Sequence, residues 1–343
     1  MTNVLVVDDS AVVRQAFSQL LGRQFAIETA ADALIAEQKI RRNRPDVVVL
    51  DLQMPRMDGL TFLRRIMTGD PLPVVICSAG AARGSESAMR ALQEGAVDII
   101  LKPQLDVREF LRESAVVVAD TLRAAAQARV VRRLAPAAND DASAIVRRKI
   151  EARPQAAQRV IAAGASTGGT EALRQIIEAL PEDAPAMVVV QHMPAGFTTA
   201  FARRLDSLAR VAVKEAEQGD EVIRGRVLIA PGDRHMLVLR NGSGYRVHLA
   251  AGPLVSRHRP SVDVLFRSVA QSAGANAVGV LLTGMGDDGA EGMVELHEAG
   301  SRTIAQDEAT SIVFGMPKEA VARGVVDEIL PLGSIAARIR ELA

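Results

Sequence analysis

Tryptophan is absent from this 343-residue chain, tyrosine occurs once, and aromatic residues make up only 3% of it. That leaves few rings on which single-stranded nucleic acid could stack. A single cysteine, Cys77, excludes an internal disulfide and a thiolate metal cluster. It lies in the apolar run PVVICSA, where a buried strand residue is expected. Net charge is missing too: 41 basic and 41 acidic residues cancel, so no global field draws the chain to nucleic acid or to an anionic membrane. No apolar run reaches the roughly 18 residues that cross a bilayer. The start, MTNVLVVDDS, reads as a strand ending in acids rather than as a leader. A cytoplasmic protein without direct membrane insertion is expected, and its partners must be read from its sites.

What is present is a core-forming set of Val, Ile, Leu and Ala within a 48% hydrophobic composition, spread over a length that suits two domains. Up to about residue 120, five apolar runs (NVLVVDD, FAIETA, DVVVLDLQMP, PVVICSA and DIILKP) alternate with five amphipathic segments. This alternation predicts a parallel sheet covered on both faces. Residues 121–157 turn to Ala, Arg and Pro; from Thr121 to Gln158 there are eight basic and three acidic residues, which reads as a linker. From residue 158 to 343 strands and helices alternate again, in RVIAAGAS, AMVVVQHM, VLIAPG, AVGVLLTGMG and SRTIAQD. MLVLRNGSGYRVHLA predicts a β-hairpin turning at Asn241-Gly242-Ser243-Gly244.

Functional residues of an open α/β sheet gather at the carboxyl ends of its strands. In the first domain those ends carry Asp8 and Asp9, then Asp51, Ser78 and Lys102, the last followed by Pro103. Hard oxygen ligands at one sheet edge suit Mg²⁺. Asp51 beside such a metal, Ser78 and Lys102 is placed to accept a phosphoryl group. VLVVDDS, DLQMPRMDGL and the closing KP resemble the receiver domain of bacterial response regulators. The resemblance implies that Asp51 is the phosphoacceptor. It also implies that Asp8 and Asp9 bind Mg²⁺ together with the carbonyl of Gln53, and that Ser78 and Lys102 are the switch residues. Ile99 departs from the pattern, standing where receivers often carry an aromatic rotamer switch.

The glycine turn in RVIAAGASTGGTEAL admits three readings. A dinucleotide fingerprint needs G-x-G-x-x-G and an acid after the next strand, but the glycines here are Gly164, Gly168 and Gly169, and AMVVVQHM ends in Gln191 and His192. Small residues that only let a strand-to-helix turn pack are the second reading. The third is a G-x-S-x-G turn that exposes Ser166 as a nucleophile near the positive end of a helix. A base would then come from His192, which ends a buried strand, and an acid from Asp287 or Asp288 in LLTGMGDDGAEGM. Three other histidines, His235, His248 and His297, have ordinary structural positions, while His258 in the loop SRHRPSVD could reach a substrate.

GASTGGTEAL, VVVQHMPAGFT, EQGDEVIRGRVLIAPG, SVDVLF, LLTGMGDDGAEGM and AQDEATSIVFGMP resemble, in this order, the catalytic domain of the chemotaxis protein-glutamate methylesterases, the CheB family, which also carries an amino-terminal receiver. The resemblance implies Ser166 as nucleophile, His192 as general base and acid, and Asp288 as the residue that orients the imidazole. Asp287 falls at the variable place of the family's LTGMG-x-D-G. Backbone N–H groups of Thr167 and Met285 would form the oxyanion hole. The implied activity is hydrolysis of glutamyl γ-methyl esters on the cytoplasmic helices of chemoreceptors, with deamidation of glutamines by the same chemistry and no metal for either. The implied phosphodonor is a chemotaxis histidine kinase. The expected architecture is an amino-terminal (βα)5 receiver over 1–120, a linker over 121–157, and a three-layer α/β/α methylesterase domain with a mainly parallel sheet over 158–343. Two other classes compete. One is a non-catalytic adaptor whose triad is unused. The other is a DNA-binding regulator, disfavoured by 19 basic against 22 acidic residues in the second half and by the lack of a helix-turn-helix pattern.

Overall fold

The computed structural model describes residues 1–79, 82–102, 108–130 and 157–342, with backbone alone for 82–85 and 108–114. Pro103 and most of the expected linker, 131–156, lie outside the described residues. The chain divides into two compact units, Met1–Ser143 and Ala144–Ala343.

The first unit alternates β1 (Asn3–Val7), α1 (Ala11–Leu21), β2 (Ala26–Ala30), α2 (Ala33–Arg42), β3 (Val47–Asp51), α3 (Gly59–Thr68), β4 (Val74–Ser78), α4 (Ala82–Gln93), β5 (Asp98–Leu101) and α5 (Arg108–Ala126). All strand pairs are parallel, in the order β2-β1-β3-β4-β5. Strands β3 and β4 are buried along their whole length, which is why their sequences read as unbroken apolar runs. Cys77 is one of these buried strand residues. Strand order reverses beside β1 and β3, so the crevice of the fold opens between Asp8, just after β1, and Asp51, at the end of β3. Helix α5 runs past residue 120 because Leu122, Ala124 and Ala125 still have a core to bury against, and alanine favours helix.

The second unit is built from β6 (Val160–Ala165), α6 (Gly169–Glu178), β7 (Ala186–Gln191), α7 (Phe197–Leu208), β8 (Ala212–Glu215), β9 (Glu221–Val222), β10 (Arg226–Ile229), β11 (His235–Asn241), β12 (Gly244–Ala250), α8 (Val262–Ala273), β13 (Ala277–Leu281), α9 (Ala290–Glu298), β14 (Arg302–Gln306), α10 (Met316–Ala322), β15 (Glu328–Leu330) and α11 (Leu332–Glu341). Its main sheet is parallel, in the order β15-β14-β13-β6-β7-β10-β8, and β11-β12-β9 form a small antiparallel sheet. From β6 the chain first builds outward through β7 and later returns to β13 on the other side. The reversal therefore falls between β6 and β13, where a ligand crevice is expected. Helix α8 covers β6, packing also on β11 and α9, and its Val262, Leu265, Phe266 and Val269 are fully buried.

Candidate active site and phosphoacceptor pocket

In the first unit, Lys102 Nζ bridges two buried carboxylates, 2.7 Å from Asp51 Oδ2 and 3.0 Å from Asp8 Oδ2. Burial raises the pKa of Asp51, partly opposed by hydrogen bonds from Lys102 and the Gln53 N–H. Burial also pulls Lys102 down, but its bonds to Asp51 and Asp8 outweigh this and hold it above its ordinary value. Ser78 is buried at the end of β4 and accepts the Lys102 N–H on its carbonyl. Gly59 opens α3 against β3 so closely that a Cβ would lie 2.2 Å from the Asp51 carbonyl oxygen, a physical reason for Asp-Gly in this motif. Oxygens of Asp8, Asp9 and Asp51 lie within 4.8 Å of one another. This all-oxygen set fits a magnesium ion.

In the second unit, Ser166 and His192 follow adjacent strands. Ala165 pairs with Gln191 in the β6–β7 register, and the His192 N–H donates to the Ala165 carbonyl at 3.0 Å. The other neighbour of Ser166 is the turn after β13: its N–H donates to the Thr283 carbonyl at 3.0 Å. Gly284 comes so near that a Cβ there would sit 2.7 Å from Ser166 Cβ and 2.3 Å from Met316 Sδ. The following residue is Met285, whose N–H donates to no group among the described residues. The Gly168 at the start of α6 has φ 77°. The glycines thus have packing duties as well as making room for the serine.

His192 Nε2 lies 2.7 Å from Asp288 Oδ2. Asp288 is 1% exposed and also accepts the Ser261 hydroxyl at 2.7 Å, the Val262 N–H at 2.8 Å and the Asp263 N–H at 3.0 Å. It therefore sits on the amino terminus of α8, where the helix dipole favours an anion. Burial alone would lift its pKa, but the hydrogen bond and charge of His192 and the α8 amides hold the carboxyl well below the usual range. Asp263 returns the arrangement: its Oδ1 accepts the Gly289 and Gly292 N–H groups at 2.8 Å each, at the start of α9. Burial and then the Asp288 charge raise Asp263. Asp287 is exposed. His192 Nδ1 is buried without a hydrogen-bond partner among the described residues.

Residues that sequence reasoning did not single out complete the site. The Thr283 hydroxyl donates to the Thr167 carbonyl at 3.0 Å and accepts the Val313 N–H at 2.9 Å, while the Thr283 N–H donates to Gln306 Oε1 at 2.9 Å. Gln191 Nε2 donates to the Ser166 and His192 carbonyls at 2.9 and 3.1 Å. These residues lie inside LLTG, AQD and VVVQHM, so the signal was position within quoted motifs. His258, read from sequence as a loop residue that could reach a substrate, stacks on His192 with ring centroids 3.7 Å apart and planes 4° from parallel. Rings stacked in parallel planes cannot both aim an in-plane lone pair at one ion, although atoms of His192, His258 and Asp288 lie within 4.8 Å.

The fold and site define a class: a receiver-type unit with an acidic crevice, followed by a parallel α/β unit with a His192–Asp288 pair at the strand end next to that of Ser166. A response regulator receiver domain profile matches residues 4–115, and a CheB methylesterase profile matches residues 161–339. The chain belongs to the CheB methylesterase family. It is 54% identical over 349 residues to protein-glutamate methylesterase/protein-glutamine glutaminase 3 of Geobacter metallireducens, with 99% of this chain and 98% of that protein covered. Identity to protein-glutamate methylesterase/protein-glutamine glutaminase 1 of Anaeromyxobacter dehalogenans is 56% over 341 residues, covering 98% of this chain and 97% of that one. The crystal structure of the Thermotoga maritima CheB methylesterase catalytic domain superposes with a TM-score of 0.53 at 40% identity, covering 54% of this chain and 98% of that chain.

Proposed function

We propose that the protein hydrolyses glutamyl γ-methyl esters on the cytoplasmic helices of chemoreceptors, releases methanol, and deamidates receptor glutamines at the same site. The observation that carries the reading is the His192–Asp288 pair at the end of the strand next to Ser166. Ser166 and His192 follow neighbouring strands, and with Nε2 engaged by Asp288 the base toward Ser166 is Nδ1. Asp288, reached across the crevice, takes Nε2. Asp288 holds the proton on Nε2 and leaves the Nδ1 lone pair for the Ser166 hydroxyl.

Ser166 Oγ attacks the ester carbonyl as Nδ1 takes its proton. The tetrahedral oxyanion is met by the N–H groups of Thr167 and Met285. It collapses as the alkoxide leaves with the proton from Nδ1, giving methanol and an acyl-enzyme. Water then repeats the attack, with the same nitrogen as base and then as acid, restoring Ser166 and leaving the glutamate. With a glutamine substrate the first leaving group is ammonia. No step in this scheme calls for a metal.

Regulation is assigned to the first unit. Asp51 accepts a phosphoryl group from a chemotaxis histidine kinase, and Ser78 and Lys102 contact the new phosphoryl oxygens. Asp8, Asp9, Asp51 and the Gln53 carbonyl would hold Mg²⁺, which when bound neutralises charge on the transferred group. The unphosphorylated first unit is proposed to hold the hydrolytic activity of the second low. A cytoplasmic location follows from these partners. Among the described residues no helix is long and apolar enough to cross a membrane.

Methanol release from methylated receptor membranes tests the reading, with activity expected in wild type and absent in Ser166→Ala. Phosphodonor should stimulate wild type but not Asp51→Asn. A fragment beginning near Gln158 should be faster than the unphosphorylated full chain, and equal rates would refute the inhibitory role.

A further inference from the structure

The loop between β12 and α8 makes a turn normally made with glycine. Ser256 and Arg257 have φ of 47° and 65°, and Val255 and His258 exchange N–H···O bonds of 3.1 and 2.8 Å around them. Two consecutive left-handed residues in a two-residue loop form a type I′ turn, whose preferred sequence is Asn-Gly. Backbone strain of this kind concentrates where a fold must deliver one side chain to one place.

The delivered side chain is His258. Its ring lies flat against His192, with centroids 3.7 Å apart and planes 4° apart. Its Nδ1 is 2.7 Å from the Ser256 carbonyl oxygen, a contact that requires Nδ1 to carry the proton. Burial, and then the neighbouring His192, hold its pKa down to about 3, so the ring stays neutral at neutral pH and its face does not repel a protonated His192. The turn is itself anchored: the Ser256 hydroxyl donates to Asp263 Oδ2 at 3.1 Å, and Asp263 is the residue that caps α9 beside Asp288.

A single hydrogen bond from Nε2 to Asp288 fixes where the edge of His192 lies but leaves its plane free to swing about that bond. A flat neighbour on the ring face removes that freedom. We propose that His258 is a positioning residue for the hydrolytic reaction: its ring, set by the Val255–His258 turn against the face of His192, fixes the plane in which His192 Nδ1 meets Ser166. This rests on His192 as the proton carrier.

Methanol release by the full-length protein is measured for wild type, His192→Gln, His258→Phe and His258→Asn. Phenylalanine keeps a flat ring and loses the bond to Ser256. Asparagine keeps an N–H donor near the Nδ1 position and loses the ring. His258→Phe should retain most of kcat. His258→Asn should lose about 10- to 100-fold in kcat, the scale of a misoriented catalytic group, with KM within about twofold. In proton NMR the His192 Nε2–H resonance should stay sharp in His258→Phe and broaden in His258→Asn. Wild-type kcat in His258→Asn overturns the proposal. A larger loss in His258→Phe than in His258→Asn also overturns it, assigning the need to the Ser256 bond instead. A raised KM at unchanged kcat would make His258 a substrate contact and refute positioning. An active His192→Gln would refute the proton-carrier reading itself, so the two failures are distinguishable.

Discussion

Asp288 is a carboxylate with four donors aimed at it, three of them from the start of α8. Its role depends on being an acceptor on every side. Asp288→Asn keeps the shape but turns an NH₂ group toward at least one of these donors. If that group faces His192, the imidazole proton moves to Nδ1 and the lone pair that serves Ser166 is lost. The expected outcome is a fall in kcat of roughly 10⁴-fold, by analogy with the loss of an orienting aspartate in other triads, measured as methanol release. A stability loss of about 1–3 kcal/mol from mismatched buried donors should accompany it, read by urea unfolding. From sequence, Asp287 and Asp288 were separable only by motif register. The structure supplies the physical reason, since Asp287 is exposed and only Asp288 meets the amides of α8. The supports at Ser261, Thr283 and Gln306 were not legible as such, because each reaches the site through a partner 23 or more positions away in sequence, and local pattern carries no trace of that pairing.

Elements were legible in proportion to how local their cause is. The parallel strands were visible because strands buried on both faces must be apolar throughout, and the β11–β12 hairpin because Gly242, φ 59°, stands in its turn. The Val255–His258 hairpin was invisible for the converse reason: Ser256-Arg257 does not look like an I′ turn, and it persists only because tertiary contacts enforce it. Strand order in the second sheet was likewise hidden, since β6 lies between β7 and β13 through long-range pairing. The strained turn makes a prediction at this scale. Glycine adopts φ of 65° without a Cβ clash, so Arg257→Gly should relieve the turn and stabilise the second unit by about 0.5–1 kcal/mol. A rise in urea midpoint at unchanged m-value would bear this out, whereas a fall would mean that the Arg257 side chain matters more to the turn than its backbone does.

At the scale of the whole molecule, 41 basic and 41 acidic residues balance at neutral pH, so individual buried groups set how stability changes as the pH first falls below neutrality. In the unfolded chain a histidine takes up a proton near pH 6.5, whereas folded His258 does so only near pH 3 because of burial and its neighbour His192. Between those values the unfolded chain holds the extra proton, so stability falls as pH falls, by about 1.4 kcal/mol per pH unit. Asp263 acts in the opposite sense. Its carboxyl is raised by burial and by Asp288, so it gains a proton in the fold before it does so in the unfolded chain and offsets part of the loss. Asp288, held low, adds its own loss only below about pH 4, where its unfolded counterpart begins to protonate. Phenylalanine at position 258 removes the histidine contribution and leaves both aspartates. Urea unfolding of wild type and His258→Phe at pH 7, 6, 5 and 4, followed by circular dichroism, should therefore give curves that diverge as the pH falls, with the variant gaining stability relative to wild type by up to about 1.4 kcal/mol per unit. Parallel curves would mean that His258 takes up its proton in the fold as readily as in the unfolded chain, and the ring stacked on His192 would then be charged at mildly acidic pH.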